Sequence, residues 1–305
     1  MCNRISRQFK GKMRISFAGG ADAFNCDKLF GAGIWPITVA TTILKPGGYN
    51  RLVQMCEKVK DMEFVQFHPT VLYNAMIHPL IDFPIKGVIW YQGCSNRHNP
   101  EQYVRLQPAF VKMLREEWGS EDMGFYFTQI APYGYPDDKT GCAGAEIMWA
   151  QARTLSLIPK SAMAATLDTG ERDCIHPSDK KTVGDRLAYL VLAKDYGYDV
   201  IDVTSPMYKS IEAKDGKLYV RFNVGSLGVG PINTDFDGFE VAGRDGVYYP
   251  ATGRVDSNDR RVVVVTCPEV AEPVAVKYAM KNWSKAAIFS NAGIPASPFK
   301  AEIDR

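Results

Sequence analysis

The chain has 305 residues, of which 46% are hydrophobic and 23% are charged, and its formal net charge is +2. This composition is typical of a globular protein long enough for two domains. The basic residues are spread evenly, which gives no sign of a nucleic-acid partner. No apolar run approaches the ~18 to 20 residues that a membrane span needs. Seven scattered cysteines without a CxxC pair indicate neither a disulfide framework nor a metal site.

Residues 1–69 read as an atypical segment. The stretches SFAGGADAF, FGAGIWP and LKPGGYN bring Gly and Pro close together, which leaves little room for long helices or strands. Their glycines do not form the GxGxxG pattern that binds dinucleotides. The basic N-terminus is not followed by an apolar core, so the sequence predicts no signal peptide and leaves the compartment undetermined.

Strand and helix patterns alternate from about residue 70 to residue 205. The stretches KGVIWYQ, GFYFTQIAPY and AMAATLDT are typical of strands buried on both faces of a parallel sheet. A helical pattern follows each of them. Successive strands and helices in this order predict right-handed crossovers and an α/β fold with helices on both sides of the sheet.

Two of the predicted helices carry clear local signals. The first has Asn99 as a capping residue and Pro100 at its first position, and Pro108 within it predicts a kink or a break. The second follows HPSDKK, and its apolar face consists of Val183, Leu187, Leu190 and Val191.

The period of the pattern changes to two after Pro206. Short apolar stretches such as GKLYVRFNV, GVYYPATGRV and RRVVVVTC follow one another, separated by Gly, Asp and Asn. Residues 206–305 are therefore predicted to form a small antiparallel β domain of the sandwich type.

Small polar residues follow the first predicted strand, at Gln92, Gly93, Cys94 and Asn96. In open α/β sheets, reactive groups gather beyond the carboxyl ends of the strands. The sequence therefore predicts a site at this point.

A second candidate is Asp173-x-x-His176, on a loop that leads into a helix. At this spacing the carboxylate can accept a hydrogen bond from Nδ1 of His176, which leaves Nε2 free to take a proton from a nucleophile. The alternative is a capping Asp beside a surface His. The amide cluster in the same sheet favours the catalytic interpretation.

Six segments in chain order resemble the sialate O-acetylesterase family, which belongs to the SGNH group of serine hydrolases. They are PTVLYNAMIHPL, FPIKGVIWYQGCSN, FYFTQIAPY, DCIHPSDKKTVGDRLA, PVAVKYAMKNW and SNAGIPASPF. The resemblance implies a flavodoxin-like, three-layer α/β domain that is incomplete on its N-terminal side and carries a C-terminal β domain. It also implies removal of O-acetyl groups from sialic acid or related sugars, without a metal or an organic cofactor.

The resemblance also implies roles for individual residues. His176 corresponds to the general base and Asp173 to the acid that orients it. Gln92, Gly93 and Asn96 correspond to the block that lines the oxyanion and substrate pocket, where amides can stabilise developing negative charge.

Cys94 departs from the family pattern. Many relatives have Glu at this place, as in QGES, so here the acid role falls on Asp173 and the thiol is expected to fill the same space. A thiol esterase that uses Cys94 with His176 is one alternative. A non-catalytic carbohydrate-binding remnant is another.

The nucleophile that the resemblance implies is absent. In the family it is a Ser in a GQSN-like turn upstream of the WYQG block, and residues 1–69 contain no such turn. The stretch from Gly19 to Arg51 instead resembles large iron–sulfur oxidoreductase subunits, and DMEFVQFHPT resembles a segment of succinate dehydrogenase flavoproteins. Neither piece carries a complete cofactor site. We expect a chimeric or truncated reading frame, with an acetylated sugar as the one partner implied and protein partners unknown.

Overall fold

The computed structural model describes residues 17–18, 24–31, 37–38, 50–59, 73–81, 83–198 and 203–303. The chain divides into two compact units, residues 1–84 and 85–305. The domain boundaries expected near residues 69 and 205 do not coincide with this division and stay predictions. No helix within the described ranges is long and apolar enough to cross a lipid bilayer.

The described parts of the first unit are short elements. They are β1 (Phe17–Ala18), α1 (Cys26–Gly31), β2 (Ile37–Thr38), α2 (Asn50–Val59), a π-helical turn (Tyr73–Ile77) and a 3-10 turn (His78–Leu80). Strands β1 and β2 pair in parallel. The buried Cys26 thiol lies 3.8 Å from the Met55 carbonyl oxygen and links α1 to α2; burial raises the pKa of this thiol.

The second unit begins with three parallel strands and three helices. They are β3 (Gly87–Tyr91), α3 (Pro100–Glu117), β4 (Gly124–Thr128), α4 (Ala143–Thr154), β5 (Ser161–Ala164) and α5 (Lys180–Asp195). The strands pair in parallel in the order β3-β4-β5, which is their order in the chain.

Helices cover both faces of this sheet. On one face the rings of Trp90, Phe110 and Phe125 pack together, which joins α3 to β3 and β4. On the other face Tyr126 packs with the apolar residues of α5, including Leu187. Alternation of side chains along β4 sends its residues to opposite faces. The predicted three-layer α/β arrangement is confirmed.

Strand β3 differs from the expectation that it is buried on both faces. Ile89 is 61% exposed and Tyr91 is 45% exposed. The reason is position, because β3 is the edge strand of the parallel sheet in the described part of the chain. Its apolar run was read correctly as a parallel strand but wrongly as one buried on both faces.

At Pro108 the sequence predicts a kink or a break. Helix α3 runs continuously from Pro100 to Glu117, so there is no break, and a kink at Pro108 stays a prediction. Packing of the helix through Tyr103, Val111 and Leu114 outweighs the hydrogen bond that the proline removes. The helix begins at Pro100 as predicted, although the Asn99 side chain makes no capping hydrogen bond.

The rest of the second unit is antiparallel. Its strands are β6 (Met207–Lys214), β7 (Lys217–Asn223), β8 (Val229–Gly230), β9 (Asp235–Ala242), β10 (Tyr248–Val255), β11 (Val262–Thr266), β12 (Ala275–Tyr278), β13 (Phe289–Ser290) and β14 (Phe299–Glu302). Seven of them form one sheet in the order β14-β12-β9-β10-β11-β7-β6, and β8 pairs with β13. A cluster of buried aromatic rings fills the core, with Tyr278 stacked on Phe299 at 5.7 Å between ring centroids.

Asn282, which follows β12, holds the loop that follows β4. This side chain is only 6% exposed. Its Oδ1 accepts a hydrogen bond from the Gly144 N–H at 2.8 Å, and its Nδ2 donates to the Asp138 carboxylate at 2.8 Å. Its backbone bonds to Tyr133 and Gly141. The antiparallel part of the unit therefore sets the shape of a loop at the carboxyl end of the parallel sheet.

The pKa of Asp138 shows how strongly this loop is held. Partial burial by itself raises the pKa, but hydrogen bonds from the Ala143 N–H, the Asn282 amide and Thr140 outweigh it and hold the pKa well below its ordinary value. The carboxylate thus stabilises the loop above its ordinary pKa of about 4. That contribution is lost as the pH falls through the lower folded-state pKa.

A second polar pair joins the loop after β5 to α5. Arg186 is 6% exposed and binds Asp168 with two hydrogen bonds of 2.7 and 2.6 Å. It also donates to the Ala165 carbonyl oxygen at 2.7 Å. Two-pronged Arg–carboxylate contacts are among the stronger polar interactions in proteins.

We predict that Asn282→Ala lowers the free energy of unfolding by about 1 to 3 kcal/mol, because it leaves buried donors and acceptors unpaired. Proteolysis within residues 131–142 should become faster. Asn282→Asp should cost at least as much despite its equal size, since it places a carboxylate against Asp138. Urea unfolding and limited proteolysis measure both effects, with the exposed Asn258→Ala as control. Equal free energies of unfolding and equal proteolysis rates for the Asn258 and Asn282 variants would contradict the role of Asn282 in holding this loop.

We also predict that Arg186→Ala lowers the free energy of unfolding by about 3 kcal/mol, since Asp168 then loses a mostly buried partner. Lys181→Ala, on the same helix, removes the exposed pair with Asp185 and should change stability by less than about 0.5 kcal/mol. Urea titrations of both variants measure the difference, and equal losses would refute a special role for Arg186.

Candidate active site

Three polar segments follow the carboxyl ends of the three parallel strands. They are residues 92–98 after β3, residues 129–142 after β4 and residues 165–179 after β5. The carboxyl ends of parallel strands lie at one edge of a sheet, where ligands bind in open α/β folds. The contacts among these segments therefore define the candidate site.

The segment after β3 is held at the backbone of Gln92. The Gln92 carbonyl oxygen accepts hydrogen bonds from Nε2 of Gln151 at 3.0 Å and from the Tyr103 hydroxyl at 3.2 Å. Gln151 is fully buried, and its Oε1 accepts from the Ile130 N–H at 2.9 Å. One buried amide thus fixes the ends of β3 and β4 together.

The predicted residues Gln92 and Asn96 lie together. Nε2 of Gln92 donates to Oδ1 of Asn96 at 2.7 Å, and this pair is exposed to solvent. The Nδ2 group of Asn96 is not used in that bond. The backbone fixed by Gln151 therefore presents two side-chain amides to solvent at the end of the strand.

Gly93 is required at its position for two reasons. Its φ is +148°, a conformation that residues with a side chain rarely adopt. A Cβ atom there would lie 2.9 Å from Nε2 of Gln151 and 3.0 Å from Cγ2 of Ile130. Any side chain would therefore push against the amide that positions the segment.

Cys94 is half-buried and lies among tyrosines. Burial raises the pKa of Tyr91, of Tyr103 and of Tyr135, and the negative charge of a Cys94 thiolate would raise each of them further. Tyr135 is 2% exposed and has a φ of +43°, which is strained for a residue with a side chain. The thiol thus lies in a mainly phenolic environment.

Arg97 joins the segment after β3 to the loop after β4. Its guanidinium group pairs with Asp137, lies 4.7 Å from the Tyr135 ring centroid and donates to the Cys94 carbonyl oxygen at 3.4 Å. The sequence analysis did not single out Arg97 or Tyr135. The available signal was the position of Arg97, one residue after Asn96.

Glu171 shapes the loop after β5. Its Oε1 accepts hydrogen bonds from the backbone N–H and the hydroxyl of Ser178, at 2.6 and 2.7 Å. The Arg172 carbonyl oxygen accepts from the Gly134 N–H at 2.9 Å. The loop after β5 therefore lies against the loop after β4, and Glu171 is a residue that sequence reasoning missed.

Asp173 and His176 are not brought together as predicted. Both are exposed, and within the described chain no hydrogen bond joins them or links His176 to residues 92–96. The expected Asp173–His176 hydrogen bond is not formed among the described residues, and the roles of both residues stay predictions. The loop that carries them is closed by Glu171, and the Cys174 thiol contacts the His176 carbonyl oxygen at 3.2 Å.

The side chains of the candidate site suit hydrogen bonding and proton transfer. Among the described residues, no group of three or more His, Cys, Asp or Glu side chains is placed to hold a metal ion. The groups present are amides, a thiol, phenols, an exposed imidazole and carboxylates. Together they can donate hydrogen bonds to a bound oxyanion and transfer protons.

Known proteins similar to this chain are sugar esterases over most of its length. Residues 45–193 match the family model described as carbohydrate esterase, sialic acid-specific acetylesterase. The sialate O-acetylesterase of Mus musculus is 30% identical over 258 residues, which cover 77% of this chain and 47% of the mouse protein. That of Homo sapiens is 33% identical over 159 residues, which cover 47% of this chain and 30% of the human protein.

A solved structure is similar over the same share of the chain. The crystal structure of XAC1771, a carbohydrate acetylesterase from Xanthomonas citri, has a TM-score of 0.71 and 32% identity, and the match covers 77% of this chain and 54% of that chain. The chain therefore spans about half the length of the mouse protein and of this structure.

The N-terminal part has a different relative. Residues 1–79 match the family model described as oxidoreductase YgfK, N-terminal TIM-barrel domain. The YgfK protein of Escherichia coli (strain K12) is 54% identical over 48 residues, which cover 16% of this chain and 5% of that protein. This match agrees with the prediction of an unrelated N-terminal segment, and from about residue 69 to its C-terminus the chain is a relative of the sialate O-acetylesterase family.

Proposed function

We propose that the part of the chain from about residue 69 onward is a carbohydrate esterase unit that removes O-acetyl groups from sialic acid or related sugars. The observation that carries this proposal is the segment after β3, where Gln151 holds the backbone of Gln92 so that Gln92 and Asn96 present amides to solvent. The match to sugar esterases over this region supports it.

In the proposed mechanism, the amides of Gln92 and Asn96 stabilise the negative oxygen of the tetrahedral intermediate. His176 removes the proton of the attacking hydroxyl and then delivers it to the sugar oxygen that leaves. Asp173 orients the imidazole. The acyl-enzyme is then cleared by water, whose proton passes to the same His176, and acetate is released.

The pairing of Asp173 with His176 in the proposed mechanism needs a change of side-chain rotamer. Exposed side chains change rotamer on a picosecond-to-nanosecond timescale, and catalytic hydrogen bonds are often formed only when substrate is bound. We propose that Asp173 and His176 pair in that state. The contact between the loops after β4 and β5, through Gly134 and Arg172, keeps their backbone at the carboxyl edge of the sheet.

The serine nucleophile of the proposed mechanism has no candidate in this chain. Ser95 lies within the segment after β3, while Ser6 and Ser16 lie outside the described residues. We therefore propose that this polypeptide by itself binds acetylated sugar and has weak or no turnover.

Two alternatives each have an observation in their favour. A non-catalytic carbohydrate-binding protein is favoured by the exposure of Asp173 and His176, whose side chains form no hydrogen bond with each other among the described residues. The half-buried thiol in the middle of the segment after β3 favours an esterase that uses Cys94 with His176.

Binding and turnover of an O-acetylated sialic acid test the proposal. Saturation-transfer NMR is expected to show transfer to the acetyl methyl group of the sugar in the wild-type chain and its loss in Asn96→Ala, because the amide that contacts the ester oxygen is removed. The exposed Asn258→Ala is the matched control and should bind as the wild type does. Acetate release should be equally weak for the wild type and for His176→Ala.

Each other result has a defined meaning. Robust acetate release that His176→Ala abolishes would support the esterase and refute the missing nucleophile. Transfer to the acetyl methyl group that Asn96→Ala leaves unchanged would refute the proposed site. Absence of both binding and turnover would refute the proposed function.

The thiol alternative is tested by Cys94→Ser and by iodoacetamide. On the serine mechanism, whatever acetate release the chain shows should survive both treatments, since Cys94 serves only to fill space. If Cys94 is the nucleophile, both treatments should abolish release, because a hydroxyl without an activated base is a far weaker nucleophile than a thiolate. Cys142→Ser is the matched control, because Cys142 is a half-buried free cysteine in the loop after β4.

A further inference from the structure

A second cavity lies in the 85–305 unit, apart from the candidate active site. Its volume is about 670 Å³, enough for a sugar of one or two rings. The side chains that line it and matter here are Trp149, Arg153, Ser161, Lys194, Tyr208 and Asn223.

The cavity lies towards the other end of the parallel sheet. One wall is formed by the amino-terminal end of β5, residues 161–163, and by the last turns of α4 and α5. The candidate active site lies beyond the carboxyl end of the same strand. The opposite wall is the start of β6 and the end of β7, so the cavity separates the parallel and antiparallel sheets.

Two aromatic side chains form its apolar surface. Trp149 and Tyr208 meet edge to face, with 6.4 Å between ring centroids. Tyr208 in turn stacks on the buried Phe299 at 5.0 Å, which holds its ring in place. Aromatic rings that line a cavity suit the apolar C–H face of a pyranose ring and lose little conformational entropy on binding.

The charged residues that line the cavity are Arg153 and Lys194, and no Asp or Glu belongs to the lining. Lys194 forms no ion pair within the described chain. Arg153 binds Glu101 with bonds of 3.1 and 2.5 Å, but its Nε is buried and lacks a hydrogen-bond partner among the described residues. The cavity is therefore electropositive and suits an anionic group.

Polar groups suited to hydroxyls complete the lining. Strand β5 is an edge strand of the described parallel sheet, so its outer side presents backbone N–H and C=O groups that no neighbouring strand pairs with. The exposed amide of Asn223 lies on the opposite wall. Hydroxyls can bond to both walls.

We propose that this cavity binds an acidic saccharide, a pyranose that carries a carboxylate. The carboxylate pairs with Lys194, and the C–H face of the ring packs on Trp149 and Tyr208. This goes beyond the proposed esterase function, because the site needs no ester and holds an acidic sugar unit remote from the reacting acetyl group.

Titration with methyl glucuronide and with methyl glucoside, followed by saturation-transfer NMR and calorimetry, tests the proposal. The acidic probe should bind more tightly than the neutral one, and added salt should weaken it. Lys194→Met should weaken binding of the acidic probe by about tenfold, since a charge-assisted hydrogen bond is lost. Lys217→Met is the matched control, because Lys217 is an exposed lysine of β7 outside the cavity lining.

A second variant is expected to increase affinity. Glu101 is largely exposed and neutralises Arg153, so Glu101→Gln should tighten binding of the acidic probe by about two- to fivefold. His176→Ala and Asn96→Ala should leave this binding unchanged, which separates it from the proposed esterase site. Equal affinity for both probes, no binding of the acidic probe, an unchanged Lys194→Met variant, or loss in His176→Ala would each overturn the proposal.

Discussion

The candidate site depends on one buried amide, that of Gln151. Its oxygen accepts from Ile130 at the end of β4, and its nitrogen donates to Gln92 at the end of β3. A buried side-chain amide must satisfy its donors and acceptors within the protein. Helix α4 therefore packs where the ends of β3 and β4 both lie within hydrogen-bond distance of Gln151. The same amide leaves no room for a side chain at Gly93. The same buried contacts that pack α4 on the sheet therefore also fix the backbone that presents Gln92 and Asn96.

The antiparallel part of the 85–305 unit also helps to shape the candidate site. Asn282 reaches from the end of β12 to the loop after β4 and satisfies Gly144 and Asp138 there. On the other side the same sheet forms one wall of the electropositive cavity at the edge of β5. The two edges of the parallel sheet thus differ, since β5 faces this cavity whereas β3 exposes Ile89 and Tyr91.

Local patterns predicted much of the fold. The α/β alternation, the apolar face of α5 and five strands of the antiparallel sheet could be read directly, because each buries a regular stripe or face. Strand β6 could not, since MYKSIEAK is a largely exposed edge strand without apolar alternation. The continuity of α3 through Pro108 was missed as well, because tertiary packing there exceeds a local preference.

At the candidate site, the sequence by itself determined the residue types at the strand ends: the Gln92 to Asn96 block and the Asp173 and His176 pair. Tertiary structure decided which of them meet. Gln92 and Asn96 pair because they lie four residues apart around a 3-10 turn, which is a local relation. Contacts between residues far apart in the chain bring four further residues to the site: Gln151, Arg97, Tyr135 and Asn282. The shape of the loop that carries His176 is set by the hydrogen bonds between Glu171 and Ser178, which local sequence patterns do not reveal.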